Sequence, residues 1–316
     1  MTMSGIDFTT GLGGTIAWPW PIAVYLFFAG ISGGALTVAM VLRLYKKQVE
    51  NTPLLKAAAV VAVVTILAGM LCLVLDLTNP LFFWKILVYY NLNSVMSLGV
   101  IVLCLYIPLT MLIAAFALRD ELAKIPQISF LVPWLDRIAG LRRPCEWTGL
   151  VCAVAVCAYT GFLISALVRF PIINSSILPA LFVVSGLSAG TAVAKMVAVK
   201  WFGEDRHSKE MHQLHGAEWP IMAIEAMFIF MLFSGLIFGD AAGNAAMAAF
   251  FEGTWGALFW GGVVGLGFML PLLFNFAFGQ RFAHSGQAFY ATGFSVVAAM
   301  MCLRLFLLMG GQIYGM

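Results

Sequence analysis

Eight long apolar runs, broken by short polar stretches, make up most of the chain, at roughly 19–43, 55–77, 88–117, 148–168, 177–199, 219–238, 256–276 and 287–310. Each reaches or passes the roughly 20 residues that an α-helix needs to cross a bilayer. A membrane β-barrel would instead alternate apolar and polar positions in short segments. The pattern predicts an all-α, polytopic membrane protein with eight transmembrane helices. Composition agrees: 62% of residues are hydrophobic, 10% are charged, and mean hydropathy is +0.99. An ordinary soluble domain carries about 25% charged residues, so this sequence has too few to coat a water-facing surface.

The charges that remain are unevenly distributed. Fourteen of the 17 Lys/Arg fall in alternate polar stretches: 43–56, 119–143, 195–209 and Arg281. The other set of stretches holds only Lys85 and Arg169, and Arg304 lies within the last run. Basic loops stay on the cytoplasmic side, so both termini are expected to face away from the cytoplasm. The net charge of +3 is this bias and no sign of nucleic-acid binding. The opening MTMSGIDFTTGLGGT lacks the basic n-region of a cleavable signal peptide, so the first run reads as the first anchor. None of the six cysteines forms C-x-x-C, and they read as small packing residues.

Runs one and five share a phrase. AGISGGALTVAM (29–40) and SGLSAGTAVAKM (185–196) align Gly30, Ser32, Gly34 and Met40 with Gly186, Ser188, Gly190 and Met196. An even number of helices in each half implies parallel repeats, dividing the protein into four-helix bundles at 1–170 and 171–316. Gly-x-x-x-Gly places two side chains of hydrogen alone on one helix face, so a neighbouring backbone can approach closely. It also leaves room for a flat ligand. Only the first copy follows the aromatic stretch WPWPIAVY (18–25), so the ligand is expected on that side.

Four histidines (His207, His212, His215, His284) sit in or beside the basic stretches, none in mid-span. Haem held between His pairs on facing helices is therefore not expected, and no metal or iron–sulfur ligand set is seen. Ionisable residues at membrane depth are functional candidates. Asp76 ends run two, Glu225 lies deep in run six, Glu218 lies at its boundary, and Arg304 lies in run eight. A buried guanidinium needs a partner, and a carboxylate is the expected one. Lys195 can snorkel to the surface. Tyr159 sits past the middle of run four, and Trp18, Trp20, Trp84 and Tyr25 gather near the predicted outer face. An acid, a phenol, aromatic walls and close glycine packing suit a quinone pocket. A secondary transporter or a purely structural membrane anchor fits the same composition.

WPWPIAVYLFFAGISGG, YNLNSVMSLG, AYTGFLISAL, LPALFVVSGLSAG, EWPIMAIEAM and LRLFLLMGGQ run in order from about residue 18 to 312. Together they resemble the family of the polysulfide reductase membrane subunit and the nitrite reductase NrfD protein. The resemblance implies a haem-free subunit in the bacterial inner membrane with both termini periplasmic. It would oxidise menaquinol near the periplasmic face and pass electrons to a periplasmic ferredoxin-like iron–sulfur subunit serving a terminal reductase. It implies a quinone site at Trp20, Tyr25, Gly30, Asp76 and Tyr159, with Asp76 and Tyr159 as catalytic groups. It also implies candidates for proton transfer at Glu218, Glu225 and Arg304. Asp76 is the least secure transfer, because the family also places His or Glu there. Asn93 looks variable. The terminal acceptor (polysulfide, thiosulfate, tetrathionate or nitrite) is not encoded in this sequence.

Overall fold

The computed structural model describes residues 18–46, 50–77, 84, 88, 91, 94–127, 129–276 and 285–313. Lys47, Lys85, Asn93, Arg281, His284 and both ends of the protein lie outside these residues. Eight helices are long and apolar enough to cross a membrane, and no strand occurs among the described residues. They are α1 (Trp20–Tyr45), α2 (Pro53–Leu75), α3 (Val95–Ala117), α4 (Arg142–Ser165), α5 (Leu178–Trp201), α6 (Lys209–Ile237), α7 (Gly253–Phe274) and α8 (Gly286–Gly310).

Helix boundaries differ from the apolar runs where local chemistry, not hydropathy, sets the end. α6 begins ten residues before its run, because Ser208 caps it by accepting a hydrogen bond from the Met211 amide. Such a cap satisfies one of the amides orphaned at a helix start. α4 likewise starts in the polar Arg142–Trp147 stretch. α5 stops where Gly203 takes φ +67°, the left-handed turn that ends many helices and that glycine adopts without strain. Within α7, Leu258–Met269 takes the wider π-helical form.

The alternate ends of the helices gather into two faces. At one, the Trp18 amide donates to Gln312 Oε1 at 3.0 Å, and Gln312 Nε2 donates back to the Trp18 carbonyl at 3.1 Å. The start of α1 thus meets the end of α8, and we call this the terminal face. The opposite, basic face is tied by charge. Glu146 Oε1 lies 2.8 Å from Arg43 Nε and 3.0 Å from Arg142 Nε. Arg43 also donates to the Glu50 carbonyl at 2.9 Å, and Asn51 Nδ2 to the Phe116 carbonyl at 3.0 Å. One buried carboxylate therefore joins the ends of α1 and α4, and Asn51 ties the same corner to the end of α3. Lys56 on α2 pairs with Glu121 at 2.6 Å, and Lys46 lies 3.7 Å from Glu210 at the start of α6. Outside the spans, Arg119 forks Asp136 at 2.6 and 2.8 Å. That fork holds the Asp136 carboxyl below the usual carboxylate range, although exposed pairs add little stability.

α1 packs most extensively on α2 and α5, with α4 next and α8 more lightly. α3 closes against α2 and α4, α5 also meets α6 and α8, and α7 rests on α8. The repeated phrase lies at the α1–α5 contact. A Cβ on Gly34 would overlap the Gly186 carbonyl, and one on Gly190 would overlap the Ala35 amide. One on Gly186 would come within 3.0 Å of the Gly30 carbonyl. The two copies cross each other backbone to backbone. In a bilayer, lipid tails compete equally for apolar side chains, so such close packing carries much of the association between helices.

Gly34→Ala is expected to lower the stability of the purified protein by about 1–3 kcal/mol through overpacking. Gly235→Ala, where an added Cβ meets nothing within 4 Å, should be neutral. Thermal unfolding in detergent checks the contrast.

Candidate functional site

Two groups of polar side chains stand inside the helical body. The first lies toward the terminal face of α1–α4. Tyr25 is 1% exposed, five residues into α1, and its hydroxyl has no hydrogen-bond partner among the described residues. Its ring packs on α2, where a Cβ at Gly69 would come within 3.4 Å of it. Asp76 follows Gly69 by seven residues, which is two turns and nearly the same helix face. It therefore projects on the Tyr25 side of α2, about 10 Å nearer the terminal face by helical rise. Asp76 Oδ1 is buried and also lacks a partner among the described residues.

Tyr159 enters from α4, half-buried, with its phenol donating weakly to the Met96 carbonyl at 3.5 Å. Its ring fills the space a side chain would take at Gly99 of α3, where any Cβ would overlap the phenol. Tyr25 and Tyr159 are near enough to interact electrostatically. Leaving a buried hydroxyl or carboxylate unpaired costs about 1–3 kcal/mol. Both groups lie toward the terminal end of their helices, and each could accept or donate a hydrogen bond to a ligand oxygen. The other two residues expected here point elsewhere. Trp20 is 45% exposed. Gly30 faces Met300, Arg304 and Gly186, about 140° around α1 from Tyr25.

The second group runs between α5, α6 and α8. A cavity of about 260 Å³ lies toward the basic face, lined by Lys195, His212, His215, Glu218, Phe289 and Thr292 among others. Lys195 Nζ pairs with Glu218 Oε1, and His215 Nδ1 lies 3.1 Å from Glu218 Oε2. The Lys195 ammonium sits 5.8 Å from the centre of the Phe289 ring. Lys195 is only 8% exposed, so it turns inward to this carboxylate instead of snorkelling out. Ser188 and Val296 line both this cavity and a smaller one beside Glu225. The smaller space, about 10 Å³, is near the roughly 10–15 Å³ that one water needs.

Ser185 also borders the smaller space, and its hydroxyl accepts a 2.8 Å hydrogen bond from Arg304. Arg304 is fully buried, donates to the Phe182 carbonyl at 3.3 Å and stacks 3.4 Å from the centre of the Phe182 ring. Its Nε and Nη1 have no hydrogen-bond partner among the described residues. The expected carboxylate partner is replaced by a serine, a carbonyl and an aromatic face. Glu225, the acid in electrostatic range, stands across the small cavity.

The geometry makes a file: His215, Glu218 with Lys195, Ser188, Glu225, Ser185, Arg304. By helical rise, Glu218 and Glu225 lie about 14 and 24 Å along α6, and Arg304 about 27 Å along α8. The two carboxylates are seven residues apart on one face of α6, and Ser185, Ser188 and Lys195 follow the same logic on α5.

The family model described as Polysulphide reductase, NrfD matches residues 9–314. The protein belongs to the NrfD family. It is 38% identical over 304 residues to the C chain of polysulfide reductase from Wolinella succinogenes, an alignment that spans 95% of this sequence and 96% of that protein. It is 36% identical over 307 residues to Protein NrfD of Escherichia coli, spanning 95% and 96%. The C subunit of selenate reductase from Mesobacillus selenatarsenatis is 26% identical over 328 residues, spanning 91% and 72%.

In this member of the NrfD family, the sequence singled out Glu218, Glu225 and Arg304 as candidates but missed the inward placement of Lys195, His215, Ser185 and Ser188 beside them. The signal was available as their 3- and 7-residue spacings. It also missed Gly69 and Gly99, which make space for the two phenols. The second copy of the repeated phrase, through Ser188 and Met196, lines the larger cavity, whereas Ser32 in the first copy is buried. The Ser32 hydroxyl donates to the Ala62 carbonyl at 2.8 Å and lies 2.9 Å from the Tyr106 hydroxyl.

Gly99→Ala is expected to destabilise the protein by about 1–3 kcal/mol by pressing a methyl into the Tyr159 ring. Adding Tyr159→Ala should cost less than the sum of the two single changes, because the clash is then gone. Thermal melts of the three variants measure the coupling.

Proposed function

We propose that the protein is the membrane subunit of a respiratory oxidoreductase complex, oxidising menaquinol at the terminal, periplasmic face of α1–α4. Electrons pass to a periplasmic ferredoxin-like iron–sulfur subunit that serves a terminal reductase, and the membrane subunit holds no haem or cluster of its own. The observation that carries this reading is that Tyr25 Oη and Asp76 Oδ1, both buried toward the terminal ends of α1 and α2, have no hydrogen-bond partner among the described residues, with the Tyr159 phenol in electrostatic range of Tyr25. Two relatives are named as lettered components of a polysulfide reductase and of a selenate reductase, which supports membership of a multi-subunit reductase.

Quinol oxidation releases two electrons and two protons. Tyr159 holds one ring oxygen by a hydrogen bond and fixes the ring plane, while Tyr25 offers a second polar contact. Asp76, at the terminal end of α2, takes the two protons in turn and releases each at that face. Proximity to the partner's nearest cluster replaces any cofactor within this subunit.

We assign a second role to α5–α8 (residues 171–316), a route for protons along His215, Glu218 with Lys195, Glu225 and the Ser185–Arg304 pair. The buried guanidinium keeps the carboxylate of Glu225 in its field. The small cavity between Glu225 and Ser185 is sized for one bridging water. A secondary transporter is the second reading, favoured by the larger cavity between α5, α6 and α8; solute uptake by the isolated protein in vesicles would support it.

Tyr159→Phe is expected to lower kcat/KM for quinol oxidation by the assembled complex about tenfold, the worth of one hydrogen bond. Asp76→Asn should lower it about 10²–10⁴-fold, as loss of a general base does. Full rates in both variants would leave only the structural anchor. For the second role, Glu225→Gln in proteoliposomes is expected to leave electron transfer intact and reduce protons moved per electron. An unchanged ratio would remove the route.

A further inference from the structure

The larger cavity has features that a proton route alone does not require. Its volume, about 260 Å³, is far more than a single file of waters needs. Its lining combines apolar side chains, including Met211, Met222, Phe274 and Phe289, with the basic Arg206, His207 and His212, and Arg206 and His207 lie in the loop before α6 at the basic face. α6 packs chiefly on α5 and touches α7 through Phe233 against Phe259 and Trp260, while Trp219 and Met222 of α6 and Pro271 and Phe274 of α7 all line the cavity, so it reaches between these two helices.

The charges at the mouth do not cancel. Among the described residues, Glu218 is the one carboxylate lining the cavity, and both of its oxygens are engaged, by Lys195 and by His215. Glu204 and Asp205 flank Arg206 in sequence but do not line the cavity. Asp205 Oδ1 accepts from the His207 amide at 3.1 Å. Arg206 is exposed and lies against the first residue of α8, so that a Cβ on Gly286 would overlap its guanidinium. It makes no hydrogen bond or ion pair with another described residue. A guanidinium with free donors, flanked by two imidazoles above an apolar slot, matches a phosphate with a hydrocarbon tail. Basic pockets between membrane helices on the cytoplasmic side recur as sites for anionic headgroups.

We propose that this cavity binds an anionic phospholipid of the inner leaflet. The phosphodiester sits against Arg206 and His207, and an acyl tail enters between α6 and α7. This site is independent of the quinol reading and of the proton route. It uses the mouth of the cavity, not the Glu218–Glu225 file.

Native mass spectrometry of the full-length protein, titrated with phosphatidylglycerol or phosphatidylcholine, tests the proposal. Phosphatidylglycerol is expected to bind in one saturable step, about tenfold tighter than phosphatidylcholine. Arg206→Ala should weaken phosphatidylglycerol binding about fivefold, the effect of one basic side chain near a membrane surface. Arg206→Lys should restore most of it. Arg206 is exposed on a loop, and equal melting temperatures of the variants confirm that folding is not the cause. Equal binding of the two lipids, or unchanged phosphatidylglycerol binding by Arg206→Ala, would overturn the site. Displacement of the lipid by equimolar inorganic phosphate would also overturn it, since the ligand would then be the free anion.

Discussion

The backbone-to-backbone crossing of α1 and α5 sets the spacing of everything around it. Gly34 against Gly186, and Gly190 against Gly34 and Ala35, let two helices approach more closely than any side chain would permit. Because that seam is so thin, α8 can bring Arg304 over Phe182 and within reach of the Gly30 face of α1. The same approach turns the other side of α5 toward α6 and α8, where Ser185, Ser188 and Lys195 line cavities. The seam therefore borders the second polar group directly, while the first lies on another side of α1. In a bilayer this is physically reasonable, since close packing and polar contacts replace the hydrophobic effect as the force between helices.

The two groups manage buried polarity differently. In α1–α4, Tyr25 and Asp76 each carry a buried oxygen with no partner among the described residues, a cost that a hydrogen-bonding ligand would relieve. In α5–α8, Lys195, Glu218 and His215 satisfy one another near the basic face, and Arg304 satisfies only part of its donor set with neutral partners. A partly satisfied guanidinium in a low-dielectric interior keeps a strong field over Glu225 across a water-sized space. The basic-face knot of Arg43, Arg142 and Glu146 is different again. Its charges are paired and tied to Asn51 and to backbone carbonyls, so it holds helix ends together.

Membership of the NrfD family fits the two-group arrangement without dictating it. Matches spanning about 95% of the sequence mean that all eight helices fall within the shared region. Among the described residues no group of three or more His, Cys, Asp or Glu could hold a metal ion. The polar groups that stand out are hydrogen-bonding and ionisable ones.

The apolar runs by themselves determined the number of helices and the all-α class, because the bilayer's thickness imposes a length that composition alone reveals. The residue types at depth (Asp76, Tyr159, Glu225, Arg304) were equally legible, since charge and phenol in an apolar run are costly wherever they face. Helix ends such as the start of α6 were not, because a serine cap and polar first turns carry no hydropathy signal. Partners were not legible either. Whether Arg304 meets a carboxylate or a serine depends on the rotation of α5 and α8 about their axes, which the glycine crossing sets. Lys195 looked free to reach the surface until the fold put Glu218 beside it. Gly30 read as space for a ligand and proved to be part of the seam. Sequence determines what each residue can do; only the packing of helices far apart in the sequence decided which residues do it together.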